Sequence, residues 1–313
     1  MTLLPLDHGG DLDAAMLQYG GKEEDWLDLS TGINPEHYAI NAILDKDWSN
    51  LPSKSANTSV CSAARKFWNV PDSADILAIP GCSSAIMQIP TLMTPGSVEI
   101  KAPTYNEHAA AFQFHGWKIQ KQYERPKARV VVNPNNPTGE FSTPSHPVRL
   151  NVIDESFCDT SPQNSHIARA ARPGNIVLKS FGKFWGLAGL RLGFAIGDPT
   201  LIESLRQRLG PWPVSGTALS IGTQALKDFS WAEQTRIRLN RDITRLDHLL
   251  VKLKAKPIGN CSLFRTYVLK DAPKIQNHLA KSFIWSRVFP YSGNWIRLGL
   301  PPEADWDRLE NAL

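Results

Sequence analysis

Residues 180–193, Ser-Phe-Gly-Lys-Phe-Trp-Gly-Leu-Ala-Gly-Leu-Arg-Leu-Gly, carry the most specific chemistry in the chain. The apolar runs 176–178 and 194–196 on either side read as buried strands. Between them Lys183 stands alone among small and apolar neighbours. Loss of hydration disfavours an ammonium, so a lysine in this setting has a lowered pKa and offers a neutral amine that condenses with a carbonyl. Arg191 follows with a guanidinium suited to a two-pronged grip on phosphate, and Gly182, Gly186 and Gly189 let the backbone come close. A Schiff-base lysine beside a phosphate-binding arginine describes pyridoxal 5'-phosphate. A surface loop with one basic residue is the alternative that this stretch alone leaves open.

Three further stretches have the makings of a site. The run 76–79 reads as a strand, and Pro80-Gly81-Cys82-Ser83-Ser84 leads from it into a helical stretch reaching residue 93. That order aims free backbone N–H groups and hydroxyls at an anion, or else makes an ordinary serine-capped turn. A strand at 129–132 runs into Asn133-Pro134-Asn135-Asn136-Pro137-Thr138-Gly139, a sculpted turn at a strand's carboxyl end, where open α/β sheets bind ligands. A strand at 150–153 ends at Asp154-Glu155, a carboxylate pair placed either to meet a cationic ligand or to cap a turn.

The elements around these stretches follow from periodicity. A helix is expected at 11–19, an extended piece at 26–30, a helix at 59–68, a strand at 98–100 and a helix from there to about 115. Strands alternating with helices from about 59 to 225 argue a mostly parallel sheet wrapped by helices. A long helix at 231–253, with Ile243, Leu246, Leu250 and Leu253 on one face, leads into a second lobe. That lobe holds strands near 263–269 and 295–298 and helices near 273–281 and 303–313. The expected division is an N-terminal arm at 1–45 joining the small domain, a large domain at 46–229 and a C-terminal small α/β domain at 230–313. Arg265 and Arg297 interrupt apolar runs; they mark either one face of an edge strand or a pair of guanidiniums facing a cleft.

Composition narrows the class. The chain has 313 residues, 42% of them hydrophobic, enough for a large core or for a large and a small lobe. No apolar run approaches the ~18–20 residues of a spanning helix, and the first 17 residues lack the pattern of a signal peptide. The four cysteines, Cys61, Cys82, Cys158 and Cys261, form no Cys-x-x-Cys pair, so neither a metal site nor a disulfide framework is indicated and a cytoplasmic setting is expected. The formal charge of +4 is spread along the chain, which argues against nucleic acid but favours phosphorylated small molecules.

Taken in order, the turn at Gly81, the loop 133–139, Asp154-Glu155 and the stretch 180–193 resemble the fold-type I pyridoxal-phosphate enzymes of the aspartate aminotransferase family. The resemblance covers nearly the whole chain and is greatest to the branch containing histidinol-phosphate aminotransferase and threonine-phosphate decarboxylase. The opening His8-Gly9-Gly10, with Leu29-Ser30-Thr31-Gly32-Ile33-Asn34-Pro35, is more similar to the decarboxylases. By position, the resemblance implies that Lys183 is the Schiff-base lysine and proton carrier. It implies further that Asp154 pairs with the pyridine nitrogen, Asn136 bonds the ring's phenolic oxygen and Tyr105 stacks on the ring. Amides near Cys82 and Ser83, with Ser180 and Arg191, would cradle the cofactor phosphate. Arg297 would hold a substrate anion, with help from Arg265, His8 and Asn34.

The implied reaction is decarboxylation of L-threonine O-3-phosphate to (R)-1-amino-2-propanol O-2-phosphate in cobalamin biosynthesis, by a homodimer. The same parts would serve transamination of the histidinol-phosphate type. A pyridoxal-phosphate-binding sensor or pathway-assembly protein without catalysis is the alternative of another class. Three residues depart from the family pattern. Leu51 replaces a tyrosine that reaches the partner subunit's cofactor phosphate, Phe157 replaces a tyrosine that donates to the ring oxygen, and Trp185 replaces a tyrosine without an evident functional consequence.

Overall fold

A computed structural model describes residues 8–120 and 125–313. Its larger sheet has seven strands in the spatial order Asp75–Ile79, Gly193–Gly197, Asn175–Ser180, Leu150–Asp154, Ala128–Val132, Ser97–Ile100 and Lys118–Gln120. Gly193–Gly197 runs antiparallel to both neighbours, and the other pairings are parallel. The central strands are buried along nearly their whole length, as expected where helices cover both faces of a parallel sheet. Because the parallel strands share one direction, their carboxyl ends emerge along one edge. The turn at Gly81, Tyr105, the asparagine loop, Asp154 and Lys183 all follow such ends, so chain direction alone gathers them.

A second, antiparallel sheet carries Arg287–Phe289, Ser292–Gly299, Phe264–Val268 and Lys256–Ile258 in that order. The N-terminal arm is stitched to this lobe: Leu27–Asp28 pairs in parallel with Ile284–Trp285, and Gly299 N–H donates to Leu29 O at 2.7 Å. The helix Phe229–Leu250 spans from the large sheet's helices to the small sheet, burying Leu239, Ile243, Leu246 and Leu250. Among the described residues no helix is long and apolar enough to cross a membrane.

Boundaries differ from expectation where a cap or a proline decides them. The helix expected at 59–68 is Lys54–Phe67, because the Ser53 hydroxyl accepts from Ala56 N–H at 3.1 Å and starts it early. The stretch expected to be helical to 93 is α-helical only over Cys82–Gln88 and continues as a 3-10 turn, Ile89–Leu92, since Pro90 cannot donate. The long helix begins at Phe229, capped by Asp228 on Trp231 N–H at 2.9 Å. The extended piece at 26–30 is a strand only over Leu27–Asp28.

Trp185 has a packing role that its sequence position did not disclose. It is fully buried, stacked on Phe181 at 5.0 Å and on Trp231 at 5.1 Å, with the edge of Tyr38 at 5.9 Å. Arm, sheet domain and long helix thus meet on one indole. Trp185→Ala is expected to destabilise the protein by about 3–5 kcal/mol, read as a lowered urea midpoint with unchanged cofactor-site geometry as the control.

Candidate active site

Two joined cavities open at the strand ends. The inner one, about 130 Å³, is walled by Gly81, Cys82, Ser83, Asp154, Ser156, Ser180, Gly182 and Arg191. The outer one, about 530 Å³, is walled by His8, Gly9, Thr31, Gly32, Asn106, Arg287, Tyr291 and Arg297. Tyr105, Asn136, Phe157 and Lys183 border both.

The inner cavity is an anion cradle. Gly81 is required twice over: its φ is 76°, and a Cβ there would come within 2.6 Å of the Arg191 guanidinium passing above it. Arg191 itself has a φ of 53° and donates to Ala188 O at 3.0 Å, which folds its side chain back over the turn. The helix starting at Cys82 brings first-turn amides without intrahelical acceptors to the same place. Ser84 is taken up by the turn, its hydroxyl donating to Gly81 O at 2.7 Å, which leaves Ser83 and Ser180 on the cavity. Burial pushes the Cys82 thiol up to about 12, helped by the nearby Asp154, so it stays neutral and donates to Lys179 O. A guanidinium, hydroxyls and free amides around a small cavity fit a phosphate group.

At its far side stands Asp154. His108 Nε2 lies 2.8 Å from its Oδ2, and the Ser156 N–H and hydroxyl donate to Oδ1 at 2.9 and 2.6 Å. Burial by itself raises this carboxyl, but His108 and Ser156 outweigh it and hold the group below the ordinary carboxylate range. An ionised carboxylate facing a cavity favours a cationic partner such as a protonated ring nitrogen. Sequence reasoning missed His108 and Ser156. The available signal was spacing, since Tyr105 caps the helix Asn106–Phe114 and His108 lies three residues on, the offset that shares a face. The Tyr105 and His108 rings are 6.0 Å apart, and Tyr105 shares the inner cavity wall with Ser83. Burial, followed by the charge of Glu107, raises the Tyr105 phenol to about 12.

The asparagine loop divides its labour. Asn133 donates to Asn164 O at 2.9 Å, and Asn135 to Pro103 O and Thr138 Oγ1 at 3.0 Å, so both hold the loop's shape. Asn136 faces the cavities and accepts from Arg297 Nη1.

Lys183 is partly buried at the junction of the cavities, and its carbonyl anchors the arm by accepting from Asn34 N–H at 3.0 Å. Burial lowers its amine to about 8, helped by the positive charges of Arg297 and Arg191 and opposed by Cys82 and Asp154. Arg297, 6% exposed, donates to Asn136 and to Ser30 O at 2.6 Å, and its Nε has no partner among the described residues. Burial, followed by the charge of Arg287, lowers Arg297 to about 10. Arg287, unnoticed in the sequence, lines the outer cavity and donates to His8 O; the His8 imidazole lies 2.8 Å from Glu107.

Two expected substrate residues lie elsewhere. In the small sheet Thr266 stands opposite Arg297 and Leu298 opposite Arg265, so strand alternation puts the two arginines on opposite faces. Arg265 turns away from the cleft and is gripped by Asp247 through two bonds of 3.0 and 2.9 Å. Asn34 donates to Phe184 O at 2.8 Å and accepts from Arg238, which makes it a clamp between arm and lysine loop, outside both cavities. The structure brings the other expected residues, His8, Cys82, Ser83, Tyr105, Asn136, Asp154, Ser180, Lys183, Arg191 and Arg297, to the cavity walls.

The family model for aminotransferase class I and II matches residues 24–313. The chain is 37% identical to a threonine-phosphate decarboxylase of Pseudomonas aeruginosa, over 98% of this chain and 97% of the relative. It is 36% identical to one from a Sinorhizobium species, over 99% and 98%. The histidinol-phosphate aminotransferase of Sinorhizobium meliloti, solved in complex with pyridoxal-5'-phosphate, superposes with a TM-score of 0.79 at 18% identity, covering 99% of this chain and 94% of that one.

The Lys183 amine should titrate near pH 8 in cofactor-free protein, against ~10.4 for an ordinary lysine: ammonium below, neutral above. Competitive acetylation across pH, read by peptide mass spectrometry, checks this. Arg297→Met removes a neighbouring positive charge and is expected to move the midpoint upward.

Proposed function

Because the chain belongs to the aminotransferase class I and II family, we propose that it uses pyridoxal 5'-phosphate to decarboxylate L-threonine O-3-phosphate to (R)-1-amino-2-propanol O-2-phosphate, in cobalamin biosynthesis. One observation carries the choice of substrate: the outer cavity has two guanidiniums, Arg287 and Arg297, on its walls in front of Lys183. A substrate with both a carboxylate and a phosphate matches that pair. Full-length likeness to two threonine-phosphate decarboxylases supports the same reading.

The residues present fit the cofactor. Arg191, Ser180, Ser83 and the amides at Cys82 would take its phosphate; Asp154, set by His108 and Ser156, would face its pyridine nitrogen. Tyr105 would lie against its ring, Asn136 would reach its ring oxygen and Lys183 its carbonyl. When bound, it supplies an electron sink for the pair left on the substrate Cα as carbon dioxide departs. Arg297, steadied by Asn136 and Ser30 O, and Arg287 with His8 would hold the two substrate anions and so fix the orientation of the substrate Cα. Lys183, as its ammonium, would give a proton to Cα and be left as the neutral amine. Phe157 offers no hydroxyl beside it.

The reading includes a cytoplasmic homodimer. Leu44, Trp48 and Leu51 are 58%, 71% and 68% exposed within one short stretch, an apolar surface suited to a second copy. All four thiols are unpaired, as a reducing compartment would keep them.

Protein loaded with pyridoxal phosphate and given L-threonine O-3-phosphate without a keto acid should release carbon dioxide and aminopropanol phosphate steadily. No release, together with turnover of histidinol phosphate plus 2-oxoglutarate, would move the chain to the aminotransferases. Lys183→Ala should lose the lysine-linked visible band and all turnover. Arg287→Met and Arg297→Met should each raise KM tenfold or more, since a charge-assisted bond contributes ~1.5–3 kcal/mol.

A further inference from the structure

We propose that Phe157 and Phe264 are a positioning pair: the face of Phe264 seats the Arg297 guanidinium, the face of Phe157 walls the Lys183 amine, and Gly32 leaves room for the two rings to touch. The proposal rests on the function above, in which Lys183 carries the cofactor and Arg297 a substrate anion.

The Arg297 guanidinium carbon lies 5.2 Å from the Phe264 ring centroid, and Lys183 Nζ lies 5.6 Å from that of Phe157. The rings meet edge to face, 5.1 Å apart at 79°. Strand alternation puts Phe264 on the same face as Thr266 and its partner Arg297. A Cβ on Gly32 would come within 2.7 Å of Phe264 and 2.9 Å of Phe157, and its backbone is not in the left-handed region, so the demand is for space. Phe157 comes from the large sheet's edge, Phe264 from the small sheet and Gly32 from the arm, which makes this contact a joint between all three.

The contrast with neighbouring cations shows why rings stand here. Arg265, adjacent to Phe264 but on the opposite face, is gripped by Asp247. Lys179, on the strand leading to Lys183, is paired with Glu155 at 2.6 Å. Among the described residues no carboxylate forms an ion pair with Arg297 or Lys183. A carboxylate would neutralise either group before a ligand arrived, whereas a ring face holds a cation in place and leaves its charge to an incoming anion or carbonyl.

The test uses the folded, cofactor-loaded protein and two readouts, the pH midpoint of the cofactor's visible band and the separate KM and kcat for L-threonine O-3-phosphate. Phe264→Leu is expected to raise KM about fivefold with the midpoint unmoved, and Phe264→Tyr, which keeps a ring, to restore it. Phe157→Leu should lower the midpoint, because it removes a face that favours the cation, and should change KM less than twofold. Gly32→Ala should produce both effects. Unchanged KM in Phe264→Leu and an unchanged midpoint in Phe157→Leu, with the parent protein showing its band and its turnover, would overturn the pair alone. A parent protein with neither band nor turnover would overturn the function instead, and the acetylation midpoint of Lys183 in Phe157→Leu would still decide the pair: it falls if the ring holds the amine and stays if it does not.

Discussion

The Lys179 ammonium lies 2.6 Å from Glu155 in the interior, and the residues next to each in sequence, Ser180 and Asp154, wall the inner cavity. Side chains alternate along a strand, so anchoring Lys179 and Glu155 behind the sheet turns Ser180 and Asp154 to the front. Burial by itself raises the Glu155 carboxyl, but Lys179 overcomes that and keeps it ionised; Asp159, 3.7 Å from the same ammonium, is left raised by burial. A pair this deep adds little net stability relative to apolar residues of the same shape. Removing one partner, however, strands the other as an uncompensated charge. Its contribution is register: the strands that carry Asp154 and the lysine loop cannot slip past each other without breaking it.

From that register the rest of the site is reached by short connections. Parallel strand direction delivers five loops to one edge, and the antiparallel strand Gly193–Gly197 brings the chain back so that Arg191 crosses Gly81. The small lobe and the arm close the open side. The arm is held by pairing with Ile284–Trp285 and by Asn34, which donates to the carbonyls of Lys183 and Phe184, so the arm's side of the outer cavity is tied to the lysine loop. Two cations show one division: Lys179, behind the sheet, is matched by Glu155, whereas Arg297, in the cleft, rests on a ring, an amide oxygen and a backbone carbonyl.

Much of the large lobe was legible because its strands are buried on both faces and read as apolar runs with sharp ends. Gly81, the asparagine loop and the lysine stretch announced themselves as turns after such runs, and ten of the residues named from sequence border the cavities. Arg265 misled because an arginine in an apolar strand looks the same whichever face it is on; only the pairing of Thr266 with Arg297 assigns the faces. Asn34 misled because a polar residue in a turn is equally apt to hold a ligand or a neighbouring backbone. His108 and Ser156 were passed over although each had a local signal, three residues beyond Tyr105 and two beyond Asp154; Arg287 was passed over because nothing local distinguishes an arginine that lines a cavity from one that meets water.

The amino-acid sequence by itself determined the order of strands and turns and singled out Lys183, the lysine at the junction of the two cavities. It also determined which loops leave strand ends, since these depend on hydrophobic period and on residues with restricted or permissive backbones, all local properties. Tertiary structure alone decided that Asn133 and Asn135 hold the loop's shape, which of two arginines faces the cleft, and that Asp154 is held ionised by His108 and Ser156. Each of those is a matter of what lies opposite a side chain across tens or hundreds of residues of sequence, and a charge or a hydrogen bond acts only over the few ångströms that folding closes.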